Sequence, residues 1–204
     1  YNGANNKYKP LEENQKQEVK NTYAGGSDYF YFVGSLHPRK NIIGLMKGFD
    51  VFCEKTKSDV KLLIIGEPMW KNEDTKNIFQ KLKYKNRILF LGRKEIEELT
   101  KIAASAISLT FVPHFEGFGI PLAEAMYCHT PIITSNVSCL PEIAGNTAMY
   151  AKPNDVNSIV DAMEEMYSNK EKRNELIENC KIRKTAFSWD KAAKEVWNVL
   201  KQNW

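Results

Sequence analysis

The sequence predicts an α/β fold built on a doubly wound, mostly parallel sheet of about six strands with helices on both faces. Two observations lead to this prediction. Short apolar runs that end at glycine or proline alternate along the chain with segments in which apolar residues recur at helical spacing. The apolar runs are also continuous, and continuous runs are typical of strands that are buried on both faces.

The first strand and the first helix after it show the pattern most clearly. The run YFYFVGS at residues 29–35 is aromatic and β-branched and reaches a glycine, so it predicts a strand. The segment after it has apolar residues at intervals of three, which predicts a helix. These apolar residues are Ile43, Met46, Phe49 and Phe52.

The same alternation continues along the middle of the chain. Strands are predicted at residues 60–66, 87–92, 106–113 and 131–136, with a short sixth strand at residues 148–153. Helices are predicted at residues 72–83, 94–105 and 121–128. Repeated strand–helix units favour a parallel sheet, because each crossover helix returns the chain to the end of the sheet at which the previous strand began, and the next strand then runs in the same direction.

After residue 153 the pattern is helical to the end of the chain. Asp155 is a predicted N-cap for a helix over residues 156–170, and another helix follows over residues 171–184. The last predicted helix covers residues 188–204 and has apolar residues at helical spacing. Those apolar residues are Ala193, Trp197, Leu200 and Trp204.

Residues 1–28 differ from the rest of the chain. They are rich in Asn, Lys, Glu and Gly and show no apolar periodicity. We interpret them as a linker, or as a segment that packs on something else.

Composition excludes several classes of protein. With 204 residues, of which 43% are hydrophobic, the chain is long enough for one generous packed domain. A formal net charge of +4 suits an anionic ligand such as a nucleotide phosphate, but it lacks the basic blocks of a nucleic-acid binder. No apolar run approaches the roughly 20 residues that span a bilayer, and the N-terminal segment has no signal-peptide core.

The four cysteines are scattered, without a C-x-x-C pair. We expect them to fill the core in a reducing compartment, the cytoplasm, and we expect no structural zinc. They are Cys53, Cys128, Cys139 and Cys180.

The segment GSLHPRKN, directly after the first strand, is one candidate site. Ligands of parallel α/β sheets collect at the carboxyl ends of the strands, where loops lead into helices. Gly34 allows the backbone a tight exit from the strand, and Arg39 and Lys40 precede the next helix. Cations beside a helix N-terminus favour an anion. The alternative, two solvated surface charges, stays open at this point.

The segment HFEGFGIPLAEAM, after the fourth strand, is the second candidate. Gly117 and Gly119 let the backbone approach a ligand closely, and Pro121 suits the first turn of a helix. Glu116 then lies at the mouth of a site with outward-facing amides. Glu124 lies about one turn into the helix, where it could face the same cavity.

These two carboxylates allow four interpretations: a general acid and base, metal ligands, groups that bind hydroxyls, or unrelated charges. A metal site is disfavoured, because the chain has no D-x-D or H-E-x-x-H motif, and His114 is a lone histidine. Carboxylates beside free amides suit the hydroxyls of a sugar or ribose. A third loop, with Pro141, Glu142 and Gly145, follows the fifth strand and is interpreted as a turn.

In combination and in this order, the segments resemble the C-terminal half of a family 4 glycosyltransferase of the GT-B fold. The matching segments are VGSLHPRKN, LLIIG, ILFLG, FEGFGIPLAEAM, PIITSN, LPEIAG and FSWDKAAKEV. The resemblance implies an interdomain linker or N-terminal extension at residues 1–28 and a Rossmann-like, nucleotide-sugar-binding domain at residues 29–187. It also implies that the helix of residues 188–204 crosses to a missing N-terminal domain.

The resemblance assigns roles residue by residue. It places Lys40 on the donor diphosphate with help from Arg39, Glu116 on hydroxyls of the donor sugar, and Glu124 on the ribose hydroxyls. These roles make Glu116, Lys40 and Arg39 the catalytic candidates, through stabilisation of the sugar and diphosphate. Further donor contacts are implied for Gly34, Ser35, Arg93, Gly117, Phe118, Gly119 and Ile120. Many relatives have Gly-Arg in place of Gly34-Ser35, so Arg39 is expected to supply the missing cation.

The resemblance further implies a retaining, metal-independent enzyme that takes a hexose from a UDP- or GDP-sugar, with a slight preference for GDP-mannose. The nucleotide sugar is a substrate, and no cofactor is expected. Cytoplasmic localisation is expected, with peripheral membrane association of the full-length enzyme left open. Two alternatives remain: a non-catalytic nucleotide-sensing or protein-interaction module on the same fold, and a nucleotide-sugar epimerase, which the EGFGIPLAEAM pattern disfavours.

Overall fold

A computed structural model describes residues 1–66 and 73–202 of the chain. Its centre is a six-stranded sheet in which all neighbouring strands are parallel, in the order β3-β2-β1-β4-β5-β6. The strands are β1 (Tyr29–Val33), β2 (Lys61–Ile65), β3 (Ile88–Gly92), β4 (Ser108–Phe111), β5 (Ile132–Ser135) and β6 (Ala148–Ala151). The predicted α/β class, the parallel sheet and its six strands are confirmed.

Helices connect the strands and complete the C-terminal part. They are α1 (Glu13–Ala24), α2 (Ile42–Thr56), α3 (Glu73–Lys81), α4 (Ile96–Ser105), α5 (Ile120–Tyr127), α6 (Leu140–Ala144), α7 (Val156–Ser168), α8 (Lys170–Arg183) and α9 (Trp189–Gln202). The start of the helix predicted over residues 72–83 lies outside the described residues. Across residues 1–66 and 73–202, no helix is both long and apolar enough to cross a membrane.

Strand β1 lies inside the sheet because its side chains are apolar on both faces. Its first four residues, two tyrosines and two phenylalanines, are at most 1% exposed. Phe30 contacts Phe52 of α2 edge to face, and Phe32 stacks on Phe111 of β4. The strand pairs with β2 on one side and with β4 on the other. The chain order therefore reverses at β1 and β4, and such reversals are where doubly wound sheets bind ligands.

Residues 1–28 contain a helix that the sequence analysis did not predict. Helix α1 begins with a reciprocal capping box between Glu12 and Gln15 and ends at Gly25 in the left-handed conformation. It packs against α4. Of its twelve residues, Val19 and Ala24 are the buried ones, so the helix has too few apolar positions to show a period.

The loop after β5 was interpreted as a turn, and this interpretation is wrong for its middle part. Residues of the segment LPEIA form the short helix α6, with Leu140, Ile143 and Ala144 buried. A helix of five residues is too short to display a hydrophobic period. The expected N-cap at Asp155 is confirmed, because its carboxylate accepts hydrogen bonds from the amides of Asn157 and Ser158.

The last helix, α9, leaves its apolar residues exposed. Trp197 is 57% exposed and Leu200 is 47% exposed. Ala193 is also exposed, and Trp204 lies outside the described residues. Three of the four cysteines are buried in the core as expected, Cys139 is partly buried, and all four are free.

Candidate functional site

The loop between β1 and α2 is held against the end of β4 by hydrogen bonds. Asn41 adopts a left-handed conformation. Its side-chain amide nitrogen, Nδ2, donates to the carbonyl oxygens of Val112 at 3.0 Å and Pro153 at 2.8 Å. The amide of His114 donates to the carbonyl oxygen of Arg39 at 2.8 Å. The two segments that the sequence analysis singled out are therefore joined directly. Both were expected at the carboxyl ends of strands, and the structure shows that these strands, β1 and β4, are neighbours.

Glu116, Lys40 and Arg39 form one charge cluster at this junction. The same carboxylate oxygen of Glu116, Oε2, accepts from the ammonium of Lys40 and, at 3.1 Å, from Nη1 of Arg39. The Lys40 side chain is 8% exposed and also lies over the ring of Phe111, whereas Arg39 is 41% exposed. Lys40 is thus the more desolvated cation, and its interactions with an anion are screened less by water.

The glycine-rich turn carries Glu116 into helix α5. Gly119 is the N-cap of that helix and has φ of 85°, a conformation that L side chains rarely adopt. A Cβ at Gly119 would lie 2.7 Å from Cδ2 of Leu140. Phe118 packs with Phe187 and Tyr1 at ring distances of 6.1 and 6.2 Å. The turn is therefore packed at Phe118 and Gly119, while Gly117 and Ile120 are exposed.

Glu124 lies in α5 and is half-buried, with one neighbour from the N-terminal segment. Burial raises the pKa of Glu124 to about 7, and hydrogen bonding to the Tyr8 hydroxyl partly opposes that rise. Tyr8 itself is 3% exposed. The two carboxylates therefore differ in environment: Glu116 is paired with two cations, and Glu124 is paired with a neutral phenol.

The raised pKa of Glu124 makes folding stability depend on pH. Between the ordinary value of 4.5 and about 7, the folded state holds a proton that the unfolded state has lost, so stability falls as pH rises through this window. We expect Glu124→Gln to remove about 2 kcal/mol of the change in unfolding free energy between pH 5.5 and pH 8. Urea unfolding of both proteins at the two pH values measures this difference.

Because both proteins keep every other titrating group, the difference between them isolates Glu124. Equal pH dependence in the two proteins would contradict the raised pKa.

The remaining predicted site residues lie outside the charge cluster. Gly34 and Ser35 leave β1 at the start of the same loop, at the carboxyl end of the sheet. Arg93 follows β3 at the edge of the sheet and is exposed. Within the described part of the chain, no hydrogen bond or ion pair joins Arg93 to the charge cluster.

A cavity of about 480 Å³ opens beside the charge cluster. Arg39, His37 and His114 line it, together with residues of α2 and Thr75 of α3. Among the described residues, no group of three or more His, Cys, Asp or Glu side chains is arranged to hold a metal ion.

The structure also brings in residues that the sequence analysis did not assign to the site. Tyr8 contacts Glu124, and Ser138 and Cys139 contact the main chain of Glu116. The position of SCLPEI after the fifth strand was the one available signal for the last two, because it places them at the same edge of the sheet.

Comparison with known proteins agrees with this geometry. The chain is 28% identical over 173 residues to the O-antigen chain mannosyltransferase B of Escherichia coli, covering 85% of this chain and 45% of that relative. The chain therefore spans less than half of that relative's length.

Two solved structures share the fold. The C-terminal domain of a glycosyl transferase group 1 family protein (LpcC) from Francisella tularensis superposes with a TM-score of 0.76 at 22% identity, covering 88% of this chain and 94% of that one. Anabaena HepE in complex with UDP-glucose superposes with a TM-score of 0.87 at 16% identity, covering 99% of this chain and 56% of that one. The sheet is therefore one Rossmann-like half of a GT-B fold.

The sequence profile that describes glycosyl transferases group 1 matches residues 13–183. The match takes in both segments of the charge cluster, helix α5 and the loop that contacts Glu116. Because it covers most of the chain, this protein belongs to the glycosyl transferases group 1 family.

Proposed function

We propose that this chain is the donor-binding half of a retaining, metal-independent glycosyltransferase that transfers a hexose from a UDP- or GDP-sugar. The observation that carries the proposal is the meeting of Lys40, Arg39 and Glu116 between β1 and β4, where the strand order reverses. A nucleotide sugar has a diphosphate flanked by two sets of hydroxyls, and this site has two cations with a carboxylate beside them and Glu124 further along α5.

In this proposal the site works by stabilising charge on the leaving diphosphate. When the bond between sugar and phosphate breaks, negative charge grows on the diphosphate oxygens. Lys40 and Arg39 provide fixed positive charge, and the amides of Gly119 and Ile120 at the start of α5 provide hydrogen-bond donors. These groups are already in place before the reaction, so they stabilise the charge without having to reorient. In this proposal the two cations and the amides stabilise the negative charge on the diphosphate, and no metal ion takes part.

The two glutamates act as hydroxyl acceptors in this mechanism. Glu116 binds hydroxyls of the donor sugar and Glu124 binds those of the ribose, since a carboxylate accepts two hydroxyl hydrogen bonds at once. Neither transfers a proton. The nucleotide sugar is the substrate, and no cofactor is part of the proposal.

The mannosyltransferase relative supports GDP-mannose as the donor to test first. The UDP-glucose complex of a structural neighbour with 16% identity keeps UDP-sugars in the proposal. Gly34 and Ser35 border the diphosphate region, and Arg93 is proposed to approach the base through its backbone.

The proposed enzyme needs a second half. We propose residues 1–28 as the linker to an N-terminal domain, residues 29–187 as the donor domain, and residues 188–204 as a helix that crosses to that other domain. The exposed apolar side chains of α9 support the last assignment. This chain alone is then inactive, and the full enzyme works in the cytoplasm, with its attachment to a membrane surface open to test.

The direct test is a thermal-shift screen of this chain with GDP-mannose, UDP-glucose, GDP, UDP and ADP. A ligand at about 100 times its Kd adds about 2.7 kcal/mol to the stability of the folded state.

We expect Glu124→Ala to weaken binding of the nucleoside diphosphate and of the nucleotide sugar by about 1–3 kcal/mol each, because both ligands contain the ribose. The absence of stabilisation by every probe at millimolar concentration would refute the proposal.

Glu195→Ala is the matched control. It removes one carboxylate from the exposed surface of α9 and is expected to leave every affinity unchanged. Loss of a surface carboxylate makes the chain more positive, so general electrostatics can only strengthen the binding of an anionic nucleotide. An equal loss of affinity in both variants would therefore contradict a specific ribose contact of Glu124.

A further inference from the structure

Two neighbouring side chains hold both main-chain polar groups of Glu116. The amide of Glu116 donates to Oγ of Ser138 at 3.3 Å. The thiol of Cys139 donates to the carbonyl oxygen of Glu116 at 3.2 Å. Both side chains come from the loop between β5 and α6, more than twenty residues further along the chain.

The conformation of Ser138 indicates that its side chain matters. Its φ is 54°, in the left-handed region that is unfavourable for a residue with a Cβ. Glycine adopts this conformation freely and would make the same turn. What glycine lacks is the hydroxyl that accepts from Glu116.

The loop is also fixed to the glycine-rich turn from a second direction. Leu140, which follows Cys139 and starts α6, is fully buried, and one of its methyl groups lies 2.7 Å from where a Cβ would be at Gly119. The loop therefore contacts the turn at both of its ends, at Glu116 and at Gly119. A loop fixed in this way can hold the main chain of Glu116 still.

We propose that Ser138 and Cys139 are positioning residues for Glu116. They fix its main chain so that the carboxylate, which is anchored to Lys40 and Arg39 in this structure, also reaches the hydroxyls of the donor sugar. The proposal rests on the proposed function, because a donor sugar is the ligand assigned to Glu116. Neither residue contacts the diphosphate or the ribose in this assignment, so their effect is confined to the sugar.

The test compares two probes that differ by the sugar. Calorimetry measures the binding of GDP-mannose and of GDP to the wild-type chain and to the variants; UDP-glucose and UDP replace them if UDP-glucose binds more tightly. We expect Ser138→Ala and Cys139→Ala each to weaken GDP-mannose binding about three- to tenfold, the size of one lost hydrogen bond, while GDP binding stays within about twofold. Cys139→Ser keeps a donor and is expected to retain most of the affinity.

Ser138→Gly separates positioning from stability. It removes the hydroxyl but also relieves the left-handed strain, so this variant is expected to unfold at or above the wild-type temperature. Its affinity for GDP-mannose is nevertheless expected to fall as far as that of Ser138→Ala. A purely structural role predicts the reverse, with affinity following stability.

A double-mutant cycle identifies the residue through which Ser138 acts. In a Glu116→Ala background, Ser138→Ala is expected to have no further effect on GDP-mannose binding. An undiminished effect in that background, or an equal loss for GDP and GDP-mannose, would overturn the inference and leave the proposed function intact. If the wild-type chain binds none of the four probes, the proposed function itself fails.

Discussion

Replacing Lys40 by methionine is expected to weaken the binding of a nucleotide diphosphate and of its sugar by about 1–3 kcal/mol, roughly 5- to 150-fold. Lys40 is the less exposed of the two cations in the charge cluster, so water screens its attraction to a diphosphate less than that of Arg39. Methionine keeps an apolar stem over Phe111, so the change removes the charge and little packing. Calorimetry with GDP and GDP-mannose measures the loss.

Lys47→Met is the matched control for this experiment. Lys47 lies on the exposed surface of α2, and its replacement changes the net charge by the same amount. We expect it to leave both affinities unchanged. If both variants lose affinity equally, the attraction comes from the overall charge of the chain, and Lys40 does not have the role proposed for it.

The second large effect is expected on stability, from Gly66→Ala. A Cβ at Gly66 would lie 1.9 Å from the carbonyl oxygen of Gly34, and φ at Gly66 is 150°. The Gly66 amide donates to the carbonyl oxygen of Gly92, and the Gly34 amide donates to that of Ile65, so the carboxyl ends of β1, β2 and β3 are joined here. No flexible side chain can move aside, because the clashing atom belongs to the backbone.

We therefore expect Gly66→Ala to lower the free energy of unfolding by at least about 3 kcal/mol, as the sum of backbone strain and the clash. Gly25→Ala separates these two causes, because Gly25 has φ of 62° but no heavy atom within 4 Å of its Cβ position. That variant is expected to lose about 1 kcal/mol from strain alone. Chemical denaturation compares the three proteins, and equal losses would show that the close approach to Gly34 is tolerated.

The strands could be predicted from the sequence because each is a continuous apolar run that is buried on both faces. The location of the two site segments at one edge of the sheet also followed, because both come at the carboxyl ends of parallel strands. That they meet depends on the pairing of β1 with β4, which the strand patterns alone do not specify. Helix α1 could not be predicted in this way. Its stability comes from its end caps and its contact with α4, and neither produces an apolar period.

The side-chain contacts within the site depend on loop conformations, which no pattern in the sequence predicts. The family resemblance implied a diphosphate ligand for Lys40 and a sugar ligand for Glu116, but no sequence pattern predicted that the two side chains would pair with each other. The contacts of Ser138 with Glu116 and of Tyr8 with Glu124 depend on how distant segments pack. Such contacts join residues that are far apart in sequence, so local residue preferences do not specify them.

The pairing of Glu116 with Lys40 and Arg39 has a consequence for which anions this site accepts. A small anion such as inorganic phosphate has to compete with a carboxylate that already neutralises these cations, and it offers that carboxylate no replacement partner. A nucleotide sugar supplies a diphosphate for the cations and hydroxyls for Glu116 in the same molecule. In the proposed complex both charges are satisfied after the exchange, so we expect the internal ion pair to make the site selective against free phosphate ions.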